Sequence, residues 1–225
     1  MAGSAGVPRG GREVIRLPLF PLPTVLFPGA PMPLHIFEPR YRRMVASCVE
    51  GDSRFGLIYH DPDRHGPFHA DAGGIGTVAE ILKFQPLPDG RSLILCRGRE
   101  RFRIEDGLES DTPYFEAVVE PYDDADEDDS PRIRELRRRS VALFHRVLDE
   151  AIGQEPPLPE VRIDQDPSFV LARAIKIDPA WQQNLLESRA ERDRLELIDG
   201  LLSSVLDAHA RGEWKPEPDE EDFQL

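Results

Sequence analysis

The sequence predicts an α+β fold, with a small closed or half-closed β-barrel in its first half and an α-helical bundle in its second half. Several short strand patterns, separated by turn residues, surround one early helix pattern between residues 14 and 119. Apolar residues then recur at helical spacing from residue 131 onward. The composition changes between these halves at Asp123-Asp-Ala-Asp-Glu-Asp-Asp129, where six of seven residues are acidic.

The segment from Leu17 to Tyr41 opens the predicted barrel and contains seven prolines and four Phe or Tyr rings. The internal prolines exclude a helix, because each removes a backbone donor and clashes with the preceding turn. They also exclude a long central strand, which needs those donors for its ladder. The segment is too apolar to remain disordered. We therefore expect short, buried edge strands, with a turn at Pro28-Gly29.

The rest of the first half alternates strand patterns with turn residues. Glu38-Pro39 predicts the start of a helix, and Gly51 predicts its end. Residues 60–74 are expected to form a long loop, and Pro86-Leu-Pro-Asp-Gly90 a hairpin turn. Gly98 predicts a bulge or tight bend between two strands. The expected strands are 14–20, 55–59, 75–84, 92–96, 101–105 and 114–119.

The second half is predicted to form a series of capped helices. Ser130-Pro131 predicts the start of the first helix and Gly153 its end. Asp166-Pro167 and Asp178-Pro179 repeat this pattern and predict two short helices. The longest helix is expected at 190–210. The residues predicted to form its buried face are Leu195, Ile198, Leu202, Val205 and His209.

These patterns predict five regions along the chain. They are a flexible leader (1–12), the barrel subdomain (13–122), an acidic linker (123–130), the helical subdomain (131–212) and an acidic tail (213–225). The tail is expected to be disordered, with docking of its terminal apolar residues on a partner as the alternative.

The net charge of −14 argues against bulk affinity for nucleic acid or anionic membranes. No stretch approaches the ~18 apolar residues of a membrane span, and the N-terminus has no apolar signal-peptide core. We therefore expect a cytoplasmic protein. Cys48 and Cys96 lie in apolar, periodic surroundings, which favours two buried free thiols over a disulfide.

No motif for catalysis, a cofactor or a metal is expected. The chain has only three lysines, Lys83, Lys176 and Lys215, and none follows a glycine as a Walker A motif requires. None has a catalytic neighbourhood that would suit a Ser–Lys dyad. An undetected hydrolase is the weakest of the functional hypotheses, since no convergent nucleophile and base are visible.

Two clusters of polar residues have competing interpretations. His60, His65 and His69 resemble metal ligands, but their spacing on a Gly- and Pro-containing loop favours a solvated loop. A basic run in the second half could contact RNA, yet the nearby acidic run favours a helix face rich in ion pairs. Its members are Arg132, Arg134, Arg137, Arg138 and Arg139.

The first half resembles the N-terminal substrate-binding domain of the Lon protease family. The motifs that carry the resemblance occur in the family's order, and each alone would be weak. They are Leu17-Pro-Leu-Phe-Pro-Leu22, Val25-Leu-Phe-Pro-Gly29, Pro33-Leu-His-Ile-Phe-Glu-Pro-Arg-Tyr-Arg42, Phe55-Gly-Leu57, Gly74-Ile-Gly-Thr77, Asp89-Gly-Arg91, Arg101-Phe-Arg-Ile104 and Pro113-Tyr114. In the second half, Ser168-Phe-Val170 and Gln183-Asn-Leu-Leu-Glu187 are similar to the family's helical part.

This resemblance implies a PUA-like β-barrel followed by a helical bundle that recognises protein substrates. With no ATPase or peptidase motif, we expect a standalone, non-enzymatic module that binds unfolded or exposed protein segments. A protease or chaperone would be its partner in protein quality control, and an RNA-binding PUA-like protein is the alternative. The candidate binding residues are Pro33, Leu34, Phe37 and Tyr41. Family positions also suggest that Glu38 pairs with Arg101 or Arg103 inside the fold.

Overall fold

A computed structural model of the protein describes residues 15–125, 129–152, 164–175 and 177–213. The predicted leader, the helix end at Gly153 and the tail beyond residue 213 lie outside the described residues. The chain divides into two compact units, one formed from 1–125 and 176–189 and the other from 126–175 and 190–225.

Within the described residues, six strands form the sheet of the first unit and confirm the predicted barrel. They are β1 (Ile15–Leu22), β2 (Pro31–Ile36), β3 (Arg54–Tyr59), β4 (Ile75–Pro86), β5 (Ser92–Leu108) and β6 (Phe115–Pro121). β1 runs parallel to β3 and antiparallel to β6, while β4 pairs with both β3 and β5. The ring closes because β5 also pairs with β6. β2 lies outside this ring and pairs with the first part of β5.

β5 unites two strands that the sequence predicts separately. Its first part pairs with β2 and its second part with β6, and Gly98 lies between the two. At Gly98, strand β5 passes against the Pro28-Gly29 turn. Gly29 N–H donates to Gly98 O, and Gly98 N–H donates to Ala30 O, both at 2.9 Å. A Cβ at position 98 would lie 2.2 Å from the carbonyl oxygen of Phe27. Only glycine fits this crossing without a backbone shift.

Aliphatic and aromatic side chains from every strand of the ring fill the barrel. The core members are Leu17, Leu19, Ile58, Val78, Phe102, Ile104, Ala117 and Val119. Helix α1 (Pro39–Glu50) buries Tyr41, Met44, Val45 and Cys48, while Val49 is exposed. The Tyr41 ring lies 4.1 Å from that of Phe20, between centroids.

Helix α5 (Pro179–Glu187) belongs to the barrel unit, although the sequence-based division assigns it to the helical subdomain. Its C-terminal carbonyls accept hydrogen bonds from barrel residues, with Arg101 Nη1 at 2.6 Å from Leu186 O and 2.7 Å from Ser188 O. Tyr122 Oη donates to Glu187 O at 2.9 Å. A short helix, α2 (Pro62–His65), interrupts the predicted loop at 60–74.

The described part of the second unit forms the helices α3 (Pro131–Val147), α4 (Ser168–Ala174) and α6 (Glu191–Ala210). A wider, π-type turn continues α3 over Leu148–Ile152. The buried face of α6 ends at Leu206, whereas Val205 is half-buried and the predicted core residue His209 is exposed. Leu206 follows Leu195 by eleven residues, about three turns of 3.6 residues, and therefore returns to the same face.

Candidate functional site

The outer side of the β2–β5 pair presents the apolar surface that we treat as the candidate site. Pro33 pairs in register with Leu95, and His35 pairs with Leu93. Paired residues share one face of a sheet, and successive residues alternate between faces. The β2–β5 face therefore comprises Pro31, Pro33, His35, Leu93 and Leu95, together with Phe37 just beyond β2.

Large apolar side chains on this face are open to solvent. Phe37 is 58% exposed and Leu93 is 39% exposed, and the Phe37 ring lies 5.8 Å from the His35 ring. Leu82 and Phe84 on the neighbouring strand β4 are also exposed, but Leu82 falls at a register shift and Phe84 pairs with Ile94 on the opposite face. Seven large apolar residues are exposed among those that the structure describes, and two of them, Phe37 and Leu93, lie on the β2–β5 face. Neighbouring exposed apolar side chains are typical of an interaction surface.

The rim of the β2–β5 face carries positive charge. Lys83 on β4 pairs in register with Leu95, and Arg97 on β5 pairs with Pro31. Both side chains are exposed. The aliphatic stems of lysine and arginine extend an apolar surface while their charged ends stay in water.

The edge of β2 is poorly suited to pairing with another strand. Within the described residues, β2 has one neighbouring strand, β5. Pro31 and Pro33 lack backbone N–H groups, and prolines on an edge strand discourage edge-to-edge association. A ligand of this region would therefore be held by side-chain contacts with the face.

The structure distributes the four predicted binding residues over three environments. Pro33 and Phe37 lie on the β2–β5 face, whereas half-buried Leu34 pairs with Ile94 and points to the opposite side. Tyr41 is only 2% exposed and belongs to the core, so its assignment to a binding surface is wrong. Burial raises the pKa of its hydroxyl to about 12. The reason is helical geometry, since residue 41 shares the inward face of α1 with Met44 and Cys48.

Leu93 and Leu95 are the residues that sequence reasoning missed. The run Ser92-Leu-Ile-Leu-Cys96 is apolar at both alternating positions, which is typical of a strand buried on both faces. In the structure Ile94 and Cys96 are buried, and Leu93 is exposed. The run itself contains no signal for this difference, because it arises from pairing with β2, more than 50 residues earlier.

A groove in the barrel unit lies between the 60–74 loop and α5, and we call it the loop–α5 groove. It has a volume of about 480 Å³. His60 Nε2 donates to Gly66 O at 2.8 Å, and His65 Nδ1 accepts from Asp61 N–H at 3.3 Å. These backbone bonds occupy one nitrogen of each ring. Across the described residues, no three His, Cys, Asp or Glu side chains come together as metal ligands would.

The basic run on α3 is largely neutralised by carboxylates within its own unit. Arg137 makes two bonds to Glu191 at 2.7 Å, and Arg139 Nε lies 3.0 Å from Asp199. Arg138 pairs with Glu135 at 2.8 Å. This pairing favours the ion-paired helix face over a phosphate-binding surface.

The expected pairing of Glu38 with Arg101 or Arg103 is wrong. Glu38 contacts Arg40 at 3.0 Å, because the two carry neighbouring side chains at the start of α1. Arg103 pairs with Glu120 across the β5–β6 ladder. Arg101 points to the C-terminal end of α5, as described above.

Cys48 and Cys96 are free and buried, as predicted. Burial raises the pKa of each thiol to about 12, so neither is a ready nucleophile near neutral pH. None of the helices within the described ranges has the length and apolar character needed to cross a membrane.

Comparison with known proteins places this geometry in a family. Residues 16–204 match the family model of the ATP-dependent protease La (LON) substrate-binding domain. A Lon protease of Cytophaga hutchinsonii is 33% identical over 149 residues, covering 64% of this chain and 18% of that protein. A Lon protease of Xanthomonas oryzae pv. oryzae is 28% identical over 202 residues, covering 87% of this chain and 24% of that protein. The chain thus spans about a fifth to a quarter of the length of these relatives.

Solved structures agree with the family match. A Lon N-terminal domain protein from Xanthomonas campestris superposes with a TM-score of 0.60 at 27% identity, covering 89% of this chain and 99% of that one. The N-terminal domain of the Mycobacterium avium complex Lon protease gives a TM-score of 0.62 at 18% identity, covering 84% and 98%, and supports the fold alone. Since the family model covers most of the chain, this protein belongs to the Lon substrate-binding domain family.

Proposed function

We propose that this protein binds exposed apolar segments of other proteins through the β2–β5 face and delivers them to a proteolytic or chaperone partner. The observation that carries the proposal is the concentration of exposed Phe37 and Leu93 on one sheet face. Membership of a substrate-binding family supports it. We further propose that this takes place in the cytoplasm.

Side-chain contact is the mode of binding that the face favours. Prolines at positions 31 and 33 remove two backbone donors from β2. Covering an exposed Phe or Leu side chain is worth about 1.5–3 kcal/mol when burial is complete. A face with two such side chains and partly exposed neighbours therefore suits weak, reversible binding of many apolar sequences. Low sequence specificity of this kind matches the task of recognising unfolded chains.

We propose that the protein itself carries out no chemistry. The two thiols are buried with raised pKa values, and His60 and His65 are each hydrogen-bonded to a backbone group. The chain would act as an adaptor, with unfolding and cleavage performed by its partner.

The test replaces apolar side chains on the face and measures binding of a fluorescent, arginine-free apolar peptide by anisotropy. Leu93→Ser and Phe37→Ser should each weaken binding about tenfold, since about 1.4 kcal/mol of apolar contact is lost. Both positions are exposed, so the folded state should be retained, and circular dichroism would verify this.

Tyr41→Phe and Leu197→Ser provide the matched controls. Tyr41 is buried with an unpaired hydroxyl, and Leu197 is exposed on α6 in the other unit. Neither substitution should change the affinity. Equal binding by wild type and both face variants would refute the β2–β5 face as the binding surface.

A further inference from the structure

The loop–α5 groove is a concave surface of the barrel unit that shares no residue with the β2–β5 face. Its floor and walls come from the end of β3, the 60–74 loop, the start of β4 and helix α5. The aromatic part of its lining consists of Tyr59, Phe68 and the histidine rings at positions 60, 65 and 69. The polar part on α5 consists of Gln183, Asn184 and Glu187.

Contacts within the groove hold its aromatic wall in place. The Phe68 ring makes edge-on contacts with His60 at 5.2 Å and Phe115 at 4.8 Å, between centroids. The Tyr59 ring lies 5.9 Å from that of His65 in the same edge-on arrangement. A wall fixed in this way loses little conformational entropy when a ligand binds.

Carboxylates and the absence of fixed cations make the groove electronegative. Asp71 and Glu187 both line it, and within the described residues neither forms an ion pair with Arg or Lys. Glu187 is oriented by Gln183, whose amide nitrogen donates to Glu187 Oε1 at 2.8 Å and to Ile75 O at 3.0 Å. No described arginine or lysine lines the groove. The nearby Arg64 is engaged with Asp178 at 3.3 Å.

Aromatic rings beside unpaired carboxylates form a good environment for an organic cation. A guanidinium or ammonium group gains from ring faces and from carboxylate oxygens at once. A free carboxylate ligand would instead be repelled by Asp71 and Glu187. The volume of about 480 Å³ is sufficient for one long side chain with its flanking backbone.

We propose that the loop–α5 groove binds a basic side chain, arginine above all, of a polypeptide substrate. This deepens the proposed function and rests on it for the identity of the ligand as a protein segment. The β2–β5 face would hold apolar residues, and the groove would select segments that also carry a positive charge. Arginine is favoured over lysine because its planar group both stacks on rings and bonds to carboxylates in pairs.

The test is a ¹⁵N NMR titration of the full chain with the capped tripeptide acetyl-Gly-Arg-Gly-amide. Citrulline in place of arginine keeps the shape and removes the charge. We expect saturable shift changes confined to residues 58–75 and 180–187, with the citrulline peptide binding at least about tenfold more weakly. Glu187→Gln and Asp71→Asn should each remove most of this preference, whereas Glu50→Gln, at an exposed carboxylate on α1, should preserve it.

The outcome is independent of the apolar-peptide assay described above. Equal affinities for the arginine and citrulline peptides, or shift changes that Glu187→Gln leaves intact, would overturn the groove proposal and leave the β2–β5 face unaffected. Groove-confined, charge-dependent shifts support it even if the arginine-free peptide fails to bind. That latter failure would count against the proposed function alone.

Discussion

At the residue scale, two arginines of β5 show how little sequence position says about energetic role. Arg99 and Arg101 are two residues apart, yet Arg99 pairs with Glu80 on the surface while Arg101 is buried. The Arg101 guanidinium donates hydrogen bonds to two carbonyls of the α5 region and pairs with Asp124. Burial decides which of the two pairs matters for stability, because exposed ion pairs are screened by water and salt.

Arg101→Met should therefore cost about 3 kcal/mol of unfolding free energy, since it leaves buried acceptors without a donor. Arg99→Met should cost about 1 kcal/mol or less. Urea unfolding of the full chain measures both values. Similar midpoints for the two variants would contradict the role assigned to Arg101.

The sequence could not distinguish these arginines, because the two carbonyls that accept hydrogen bonds from Arg101 lie 85 and 87 residues further along the chain. Tyr41 is a different case, because the signal for its burial is local: it lies at helical spacing from Met44 and Cys48. Its position next to the proline-rich segment suggests a surface role, but helix α1 turns it into the core. The sequence places Pro33 and Phe37 at the same surface margin as Leu34 and Tyr41 and does not indicate which of these side chains point outward.

At the scale of elements, strand β5 organises the barrel by pairing with β2, β4 and β6. This is possible because it bends at Gly98, against the turn that precedes β2. The two separate strand patterns at 92–96 and 101–105 and the expected bend at residue 98 were visible in the sequence. The continuity of one 17-residue strand was not, since it depends on two different partners.

Gly98→Ala should destabilise the protein by about 1–3 kcal/mol, because the new methyl group would overlap the Phe27 carbonyl. Gly200→Ala is the matched control. Position 200 lies within α6 and has open space around its Cβ direction, so alanine should stabilise by up to about 1 kcal/mol. Thermal unfolding should shift in opposite directions for the two variants, and a shared direction would contradict this account of the bend.

At the scale of the whole molecule, the order of a barrel followed by helices is what the sequence predicts best. Strand patterns, capped helix starts and the acidic junction are all local signals. These local signals do not predict the buried charged residues of the helical unit. There Arg194 is fully buried, donating to Ser168 Oγ at 2.8 Å and to Asp166 at 2.5 Å. Sequence reasoning treats such residues as solvated, because only the folded chain shows which charges are brought together.

The functional predictions show the same difference between local signals and contacts of distant segments. Family motifs in the first half predict substrate binding, and the family match supports that level of description. The location of the proposed binding surface emerges only when β2 lies against β5, since three of its residues belong to β2, two belong to β5 and Phe37 follows β2. The loop–α5 groove likewise combines residues more than 100 positions apart.

The central claim is that the β2–β5 face contacts apolar segments of unfolded proteins. Methyl NMR of the full chain, titrated with a permanently unfolded protein, tests it most directly. We predict that the methyl signals of Leu93 and Leu95 shift or broaden, while those of the buried Leu26 and Leu57 remain unchanged. Unchanged signals from Leu93 and Leu95, together with perturbation of leucines elsewhere on the surface, would contradict the account.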